Sequence, residues 1–334
     1  MRAAVYYGNK DIRIEEKPKP KIGSGEVLVR VEASGICGSD VMEWYRIDRI
    51  PLILGHEVAG TIEEVGEGVK KLKKGQRVAL AHHVSCGKCK YCLSGHEACC
   101  EILRKTNFDP GGFCDYLRLS SIHVEKGVFV LPDSVSFEDA TFVEPLACIM
   151  RGQRIAGGAK GKKVLVIGSG IAGILHIHFA KFSGATSVTA TDISEQRLKL
   201  AEKFGASRAI NAKDYKPEVV FDLVITTSGA PTAIKQALDS VDIGGTVLLF
   251  APVEKGVEIN IPYNRLFWRN EITLTSSYAA SPLEYQEALN LIALKKLNLK
   301  EMITHRLSLA ETGLGFKLVS EAKESLKVII FPNK

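Results

Sequence analysis

The chain has 334 residues, 46% hydrophobic and 25% charged, with 44 Lys and Arg against 38 Asp and Glu for a net charge of +6. That length exceeds the usual single domain and predicts two, each able to bury its own core, while the ordinary composition excludes a disordered chain. Basic residues are interleaved with acids; the longest basic runs, VKKLKKGQR (69–77) and ALKKLNLK (293–300), read as a turn and an exposed helix face, so no nucleic-acid partner is expected. The opening MRAAVYYGNKDIRIEE lacks the order of a signal peptide, and no apolar run approaches the ~20 residues of a membrane span. A cytoplasmic protein with no membrane partner is therefore expected.

Up to about residue 145 the chain is β-rich: AAVYY, EVLVRVEASG, EVAGTIEEVG, QRVALAHH and CDYLRLS are short alternating or apolar runs between Gly, Pro and Asn. They predict a compact barrel or sandwich. From about residue 146 strands and helices alternate. KKVLVIGSG, ATSVTATD, RAIN, FDLVITTSG, GGTVLLFAP and EITLTSS read as strands, and IAGILHIHFAKFSG, SEQRLKLAEKFG and PTAIKQALDSV as helices. Such alternation predicts right-handed βαβ units on a parallel sheet, an α/β class. Only about ten residues separate RAIN from FDLVITT, too few for a crossover helix, so a loop is expected there. After residue 280 come one more helix, SPLEYQEALNLIALKKL, then MITHRLSL and a closing strand KVIIFPNK.

Gly168, Gly170 and Gly173 form G-x-G-x-x-G between a strand and a helix, enclosing Ile171 and Ala172, with Asp192 ending the next strand. Gly168 permits the tight turn, Gly170 lets backbone approach a pyrophosphate, and Gly173 lets helix and strand pack closely, with the pyrophosphate at the helix N-terminus. A tight turn without a ligand would explain the glycines, but the flanking strand, helix and acid weigh against it. Asp192 suits both adenosine ribose hydroxyls and repels a 2′-phosphate, favouring NAD over NADP; Arg197 weakens that preference slightly.

Of eight cysteines, five fall in SCGKCKYCLSGHEACC, residues 85–100. In a reducing cytosol clustered cysteines point to a metal or a catalytic thiol rather than to disulfides. Cys86, Cys89 and Cys92 step by three, and a cysteine from the returning chain would close a tetrahedral, purely structural zinc site. Spacing alone leaves Cys99 and Cys100 open for that role. A scattered second set comprises Cys37 in GICGSD, His56 and Glu57 in GHEVAG, and Glu144 in FVEPLA; together they make an open zinc site with a position for substrate. Taken singly, each reads as an ordinary core or surface residue.

GHEVAGTIEEVGEGV satisfies G-H-E-x-x-G-x5-G-x-x-V through Gly55, His56, Glu57, Gly60, Gly66 and Val69. With CGSD, the cysteine lobe and VLVIGSGIAG, this resembles the zinc-containing medium-chain alcohol dehydrogenases over essentially the whole chain. VEPLA and SYAASPLEYQEAL are most similar to the sorbitol and iditol dehydrogenase branch, with threonine dehydrogenase close by. The resemblance implies a GroES-like catalytic domain over 1–145, a Rossmann domain over 146–279 and a return to the catalytic domain over 280–334. It implies oxidation of a secondary, polyol-like alcohol to a ketone, with hydride passing to NAD. Catalytic zinc would lie at Cys37, His56, Glu57 and Glu144, the last two competing for direct ligation, with Asp40 orienting His56. The family's lobe spacing selects Cys100 and leaves Cys99 free. Many relatives carry a relay histidine where this chain has Met42, so Ser39 is the expected proton acceptor. Trp44 and Tyr45 are candidates for the substrate cleft or ordinary packing, and His82, His83 and His305 read as structural or rim residues. Relatives also imply a homo-oligomer, a tetramer over a dimer. Zinc-independent quinone or enoyl reductases would share the glycines without needing the cysteines, and a zinc-ribbon binding protein would need no nucleotide domain.

Overall fold

A computed structural model describes residues 1–217 and 220–334. The chain divides into two compact units, Met1–Ala147 with Ala279–Lys334, and Cys148–Tyr278. Among the described residues no helix is long and apolar enough to cross a membrane.

The first unit opens with strands β1 (Arg2–Gly8), β2 (Asp11–Glu16), β3 (Val27–Gly35), β4 (Leu52–Ile53), β5 (Glu57–Val65), β6 (Arg77–Leu80), β7 (Tyr116–Leu119) and β8 (Val128–Val130). β1 pairs with β2 and β4, while β3, β5, β6 and β8 form an antiparallel run with β7 on the other side of β3. Alternation places Val27, Val29 and Val31 of β3 in one core with Val58 and Ile62 of β5 and Leu117 and Leu119 of β7. One pairing positions the chemistry described below: Gly35 at the end of β3 lies opposite Glu57 at the start of β5.

The second unit carries β9 (Lys163–Ile167), β10 (Ser187–Asp192), β11 (Arg208–Asn211), β12 (Phe221–Thr226), β13 (Val241–Leu249) and β14 (Thr273–Ser276). All pair in parallel, in the order β11-β10-β9-β12-β13-β14. The order reverses between β9 and β12, so their carboxyl ends, Ile167 and Thr226, flank the crevice where open α/β sheets bind ligands. Buried on both faces, β9 reads as a continuous apolar run, and Leu165, Val224 and Val247 pack with Ile234 and Leu238 of the helix Pro231–Ser240. Between β11 and β12 the expected loop begins as a turn over 212–214; residues 218 and 219, on which the rest of that expectation falls, lie outside the described residues.

The returning segment adds β15 (Ile303–Ser308) and β16 (Lys327–Phe331) to the first unit. β16 pairs antiparallel with β3 and parallel with β15, giving a seven-stranded sheet whose second core holds Tyr6, Ile36, Phe113, Phe316, Val328 and Ile330. Among the described helices of ten residues or more, two go beyond those read from the sequence, Val143–Ile155 and Thr312–Glu321. Both contain residues that usually break helical patterns. Gly315 is nonetheless a packing device: a Cβ there would come within 2.6 Å of Ile36 Cδ1, so glycine lets the helix lie against the sheet.

Inside the second unit His176 is fully buried, edge-on to Phe250 at 4.6 Å, with Nδ1 3.2 Å from Gln153 Nε2. Burial pushes its pKa down to about 3. Because the folded value lies below the unfolded one near 6.5, the unfolded chain binds the extra proton, and stability falls as pH drops below about 6.5. At pH 5 this group should cost on the order of 2 kcal/mol. The His176→Gln variant should therefore lose less stability than the parent between pH 7 and 5 in urea titrations.

Candidate active site

The β3/β5 pairing carries Cys37, just beyond β3, to His56 and Glu57 at the start of β5. Cys37 Sγ, a His56 ring nitrogen and a Glu57 carboxylate oxygen all lie within 4.8 Å of one another. Asp40, fully buried, holds this group from behind: Oδ2 accepts the Cys37 N–H at 3.0 Å, and Oδ1 lies 3.3 Å from His56 Nδ1. With Nδ1 occupied, Nε2 is the nitrogen left to face a metal. Burial disfavours the charged forms of both side chains. Their mutual attraction outweighs it, lowering the Asp40 pKa and raising that of His56 well above the ordinary range. A sulfur, a nitrogen and an oxygen donor converging in this way suit zinc with one coordination position to spare.

Glu57 has a partner that sequence reading did not find. Lys327 Nζ, on β16 and fully buried, donates to Glu57 Oε2, which is itself 1% exposed. Space for the pair comes from Gly35, where a Cβ would collide with Glu57 Oε2 and come within 2.7 Å of Lys327 Nζ. A lysine inside the apolar run LKVIIF was the available signal. Glu144 is buried in the first turn of the helix Val143–Ile155 and stands outside the three-residue group.

Cys86, Cys89, Cys92 and Cys100 also converge, all four sulfurs within 4.8 Å. Cys86 and Cys92 are 3.8 Å apart and Cys89 and Cys92 3.5 Å, close to the ~3.8 Å edge of a tetrahedron with 2.3 Å zinc–sulfur bonds. The Lys88 and Cys89 amides donate to Cys86 Sγ and bring its pKa down to about 6, favouring the thiolate a metal needs. Cys99 is exposed and outside the group. Cys100→Ser should release one metal equivalent and lower the melting temperature, whereas Cys99→Ser should leave metal content and activity unchanged. Plasma emission spectrometry on both purified variants checks this.

In the second unit Gly168 takes φ +93°, a left-handed turn conformation, and a Cβ on Gly173 would collide with Gly168 O. The helix Ile171–Phe182 starts directly behind this turn with no side-chain cap, presenting the Ile171, Ala172 and Gly173 amides. Asp192 ends β10, accepting the Ser169 N–H at 2.7 Å and the Ser194 N–H at 2.9 Å. Arg197 Nη1 stands 3.8 Å from where a Cβ on Gly170 would be, and Arg197 Nε and Ser169 Oγ are buried without a hydrogen-bond partner among the described residues. A close-approach turn, an uncapped helix start and orphaned polar atoms fit a dinucleotide pyrophosphate and ribose.

Residues 23–133 match the alcohol dehydrogenase GroES-like domain, and residues 172–294 match the zinc-binding dehydrogenase domain. Along its whole length the chain is 32% identical to sorbitol dehydrogenase of Bacillus subtilis (strain 168), covering 100% of this chain and 98% of that protein. The chain belongs to the zinc-binding alcohol dehydrogenase family. Galactitol 1-phosphate 5-dehydrogenase of Escherichia coli (strain K12) is 30% identical, covering 99% of this chain and 100% of that protein. An alcohol dehydrogenase from Thermus sp. ATN1 shares the fold with a TM-score of 0.87 and 28% identity over 99% of each chain. The zinc-dehydrogenase resemblance read from the motifs, and the GroES-like plus Rossmann class it implied, are borne out.

The other side chains singled out in the sequence take separate positions within the first unit of this dehydrogenase. The His82 ring is 5.1 Å from the His56 ring and 3.6 Å from that of His83, whose Nδ1 meets Thr106 O at 2.7 Å. Burial depresses both, His83 to about 4, so both are neutral near pH 7. His305 sits on β15 with Nδ1 3.0 Å from Thr304 Oγ1. The Ser39 amide lies 3.5 Å from Cys37 Sγ, placing that residue beside the group. The Trp44 and Tyr45 rings are neighbours 5.9 Å apart and tilted by 56°, with Tyr45 41% exposed.

Proposed function

We propose that this dehydrogenase interconverts a secondary hydroxyl of a polyol-like substrate and the corresponding ketone, using NAD. The observation that carries the reading is the Cys37, His56 and Glu57 group, three donors within 4.8 Å and distinct from the closed four-sulfur lobe. Zinc bound there would supply Lewis-acid polarisation of a substrate oxygen. Cys37 and His56 act as ligands in this reading, with the carboxylate supplied by Glu57 or Glu144, while Asp40 fixes the His56 ring. The Ser39 hydroxyl takes the substrate proton and passes it outward, the task for which Met42 has no suitable group. Gly168, Gly170, Ile171, Ala172 and Gly173 seat the pyrophosphate, with Arg197 beside Gly170, and Asp192 binds the adenosine ribose. Met1–Ala147 with Ala279–Lys334 then serve as the catalytic domain and Cys148–Tyr278 as the NAD-binding domain.

Two relatives named for sorbitol and galactitol 1-phosphate support the polyol class over L-threonine or a simple secondary alcohol. Eight free cysteines suit a reducing cytoplasm. The edge strand β14 and the exposed Tyr263 and Trp268 support a homo-oligomer, and the preference for a tetramer over a dimer comes from the family resemblance alone.

Metal analysis should give two zinc ions per chain. A coupled assay across sorbitol, L-threonine and 2-butanol should show polyol oxidation, with kcat/KM for NAD at least about tenfold above that for NADP, since like-charge contact costs more than ~1.4 kcal/mol. Undiminished turnover by zinc-free protein would overturn the metal role, and preference for NADP the role of Asp192.

A further inference from the structure

We propose that Arg46 and Arg49 form, on the ring of Tyr45, an oxyanion subsite for an acidic group carried by the substrate, a phosphate monoester or a carboxylate. The proposal rests on the reading of Cys37, His56 and Glu57 as the reacting centre and names the substrate subclass within it.

Both guanidinium groups lie over one aromatic ring, Arg46 at 4.6 Å and Arg49 at 4.7 Å from its centroid. Arg46 is half-buried and Arg49 exposed, and each makes a hydrogen bond to backbone. Arg46, its side chain 14% exposed, directs Nε and Nη2 to Ser39 O at 3.3 and 3.2 Å and places Nη2 3.9 Å from Asp40 Oδ1. It is thereby docked on the turn that carries Cys37, Ser39 and Asp40. Arg49 is anchored by Nη2 to Tyr45 O at 2.9 Å. These contacts leave Nη1 of Arg46, and Nε and Nη1 of Arg49, without a hydrogen bond among the described residues. Nearby acids neutralise the pair only in part. Asp40 is shared with His56, Glu43 Oε1 takes the Asn9 amide at 3.1 Å, and exposed Asp48 makes no ion pair with either arginine among the described residues.

The physics favours a multi-oxygen anion. A neutral hydroxyl offers one acceptor oxygen, whereas a phosphate or carboxylate presents several oxygens to forked, permanently charged donors. Stacking on Tyr45 orders both side chains beforehand, which reduces the entropy lost on binding. Arg46 is held through Ser39 O on the turn that also carries Cys37, so the acidic group would sit beside that turn while the substrate hydroxyl faces Cys37 and His56.

The test uses the zinc-loaded enzyme with NAD and three substrates of one carbon frame: sorbitol, sorbitol 6-phosphate and gluconate. One of the two acids should exceed sorbitol in kcat/KM by at least about 30-fold, the phosphate or the carboxylate being identified by which one does. Arg49→Gln should reduce kcat/KM for that acid at least about tenfold more than for sorbitol, chiefly through KM, and Arg49→Lys should recover only part of the loss. Sorbitol equal to or better than both acids, or an Arg49→Gln effect equal on neutral and acidic substrates, would overturn the subsite and leave the dehydrogenase reading standing. Calorimetric titration of sorbitol 6-phosphate and gluconate into parent and Arg49→Gln protein separates the remaining case. If none of the three is oxidised, acid binding that Arg49→Gln weakens supports the subsite while the polyol reading fails; no such binding overturns both.

Discussion

Cys37→Ser should lower turnover by at least about 10³-fold while NAD still binds, because removing one donor from a three-donor group forfeits the several kcal/mol a bound metal contributes. Retained dinucleotide binding follows from location, since the Gly168–Gly173 turn and Asp192 belong to the other compact unit. His56→Ala should behave alike. The check is a combined one: zinc per chain falling from two to one, kcat collapsing, and NAD affinity by fluorescence within about threefold of the parent. A Cys37→Ser enzyme with near-parental kcat would refute the assignment of this group as the reacting centre.

Lys327→Met should destabilise the fold by about 3–5 kcal/mol, the usual result of removing one partner of a buried ion pair and leaving the other charge uncompensated. Glu57 is 1% exposed, so water does not substitute for the lost ammonium. Adding Glu57→Gln to Lys327→Met should restore much of the loss, because the cost lies in the stranded carboxylate rather than in a missing attraction. Denaturant midpoints of the single and double variants decide this; a Lys327→Met protein as stable as the parent would mean that the pair is not closed in solution. Metal content of Lys327→Met adds a second reading, since a carboxylate released from lysine is freer to turn toward the metal.

Legibility differed among the parts of the site. The turn of Gly168, Gly170 and Gly173 with Asp192 was readable because it is built from residues close in sequence, each with a local steric or electrostatic requirement. The four-sulfur lobe was readable for the same reason, with the choice of Cys100 over Cys99 supplied by the family resemblance. Cys37, His56 and Glu57 were individually unremarkable in composition and gained meaning only through the family motif around them. The helices Val143–Ile155 and Thr312–Glu321 escaped because their glycines and proline look like breakers until the neighbour they pack against is known, as Ile36 is for Gly315. Arg46 and Arg49 read as two more charges in a basic chain, and only their shared position over Tyr45 gives them a direction.

By itself, then, the amino-acid sequence determined the α/β class, the glycine-rich turn and the cysteine lobe, since periodicity, glycine sterics and ligand spacing act over a few residues, while its motifs carried the resemblance to the dehydrogenase family. Tertiary structure alone decided which charges meet. Glu57 and Lys327 are 270 residues apart, joined because β16 and β5 both pair with β3 and Gly35 leaves room between them. A buried carboxylate must find a partner, but which cation reaches it depends on strand register across the whole sheet.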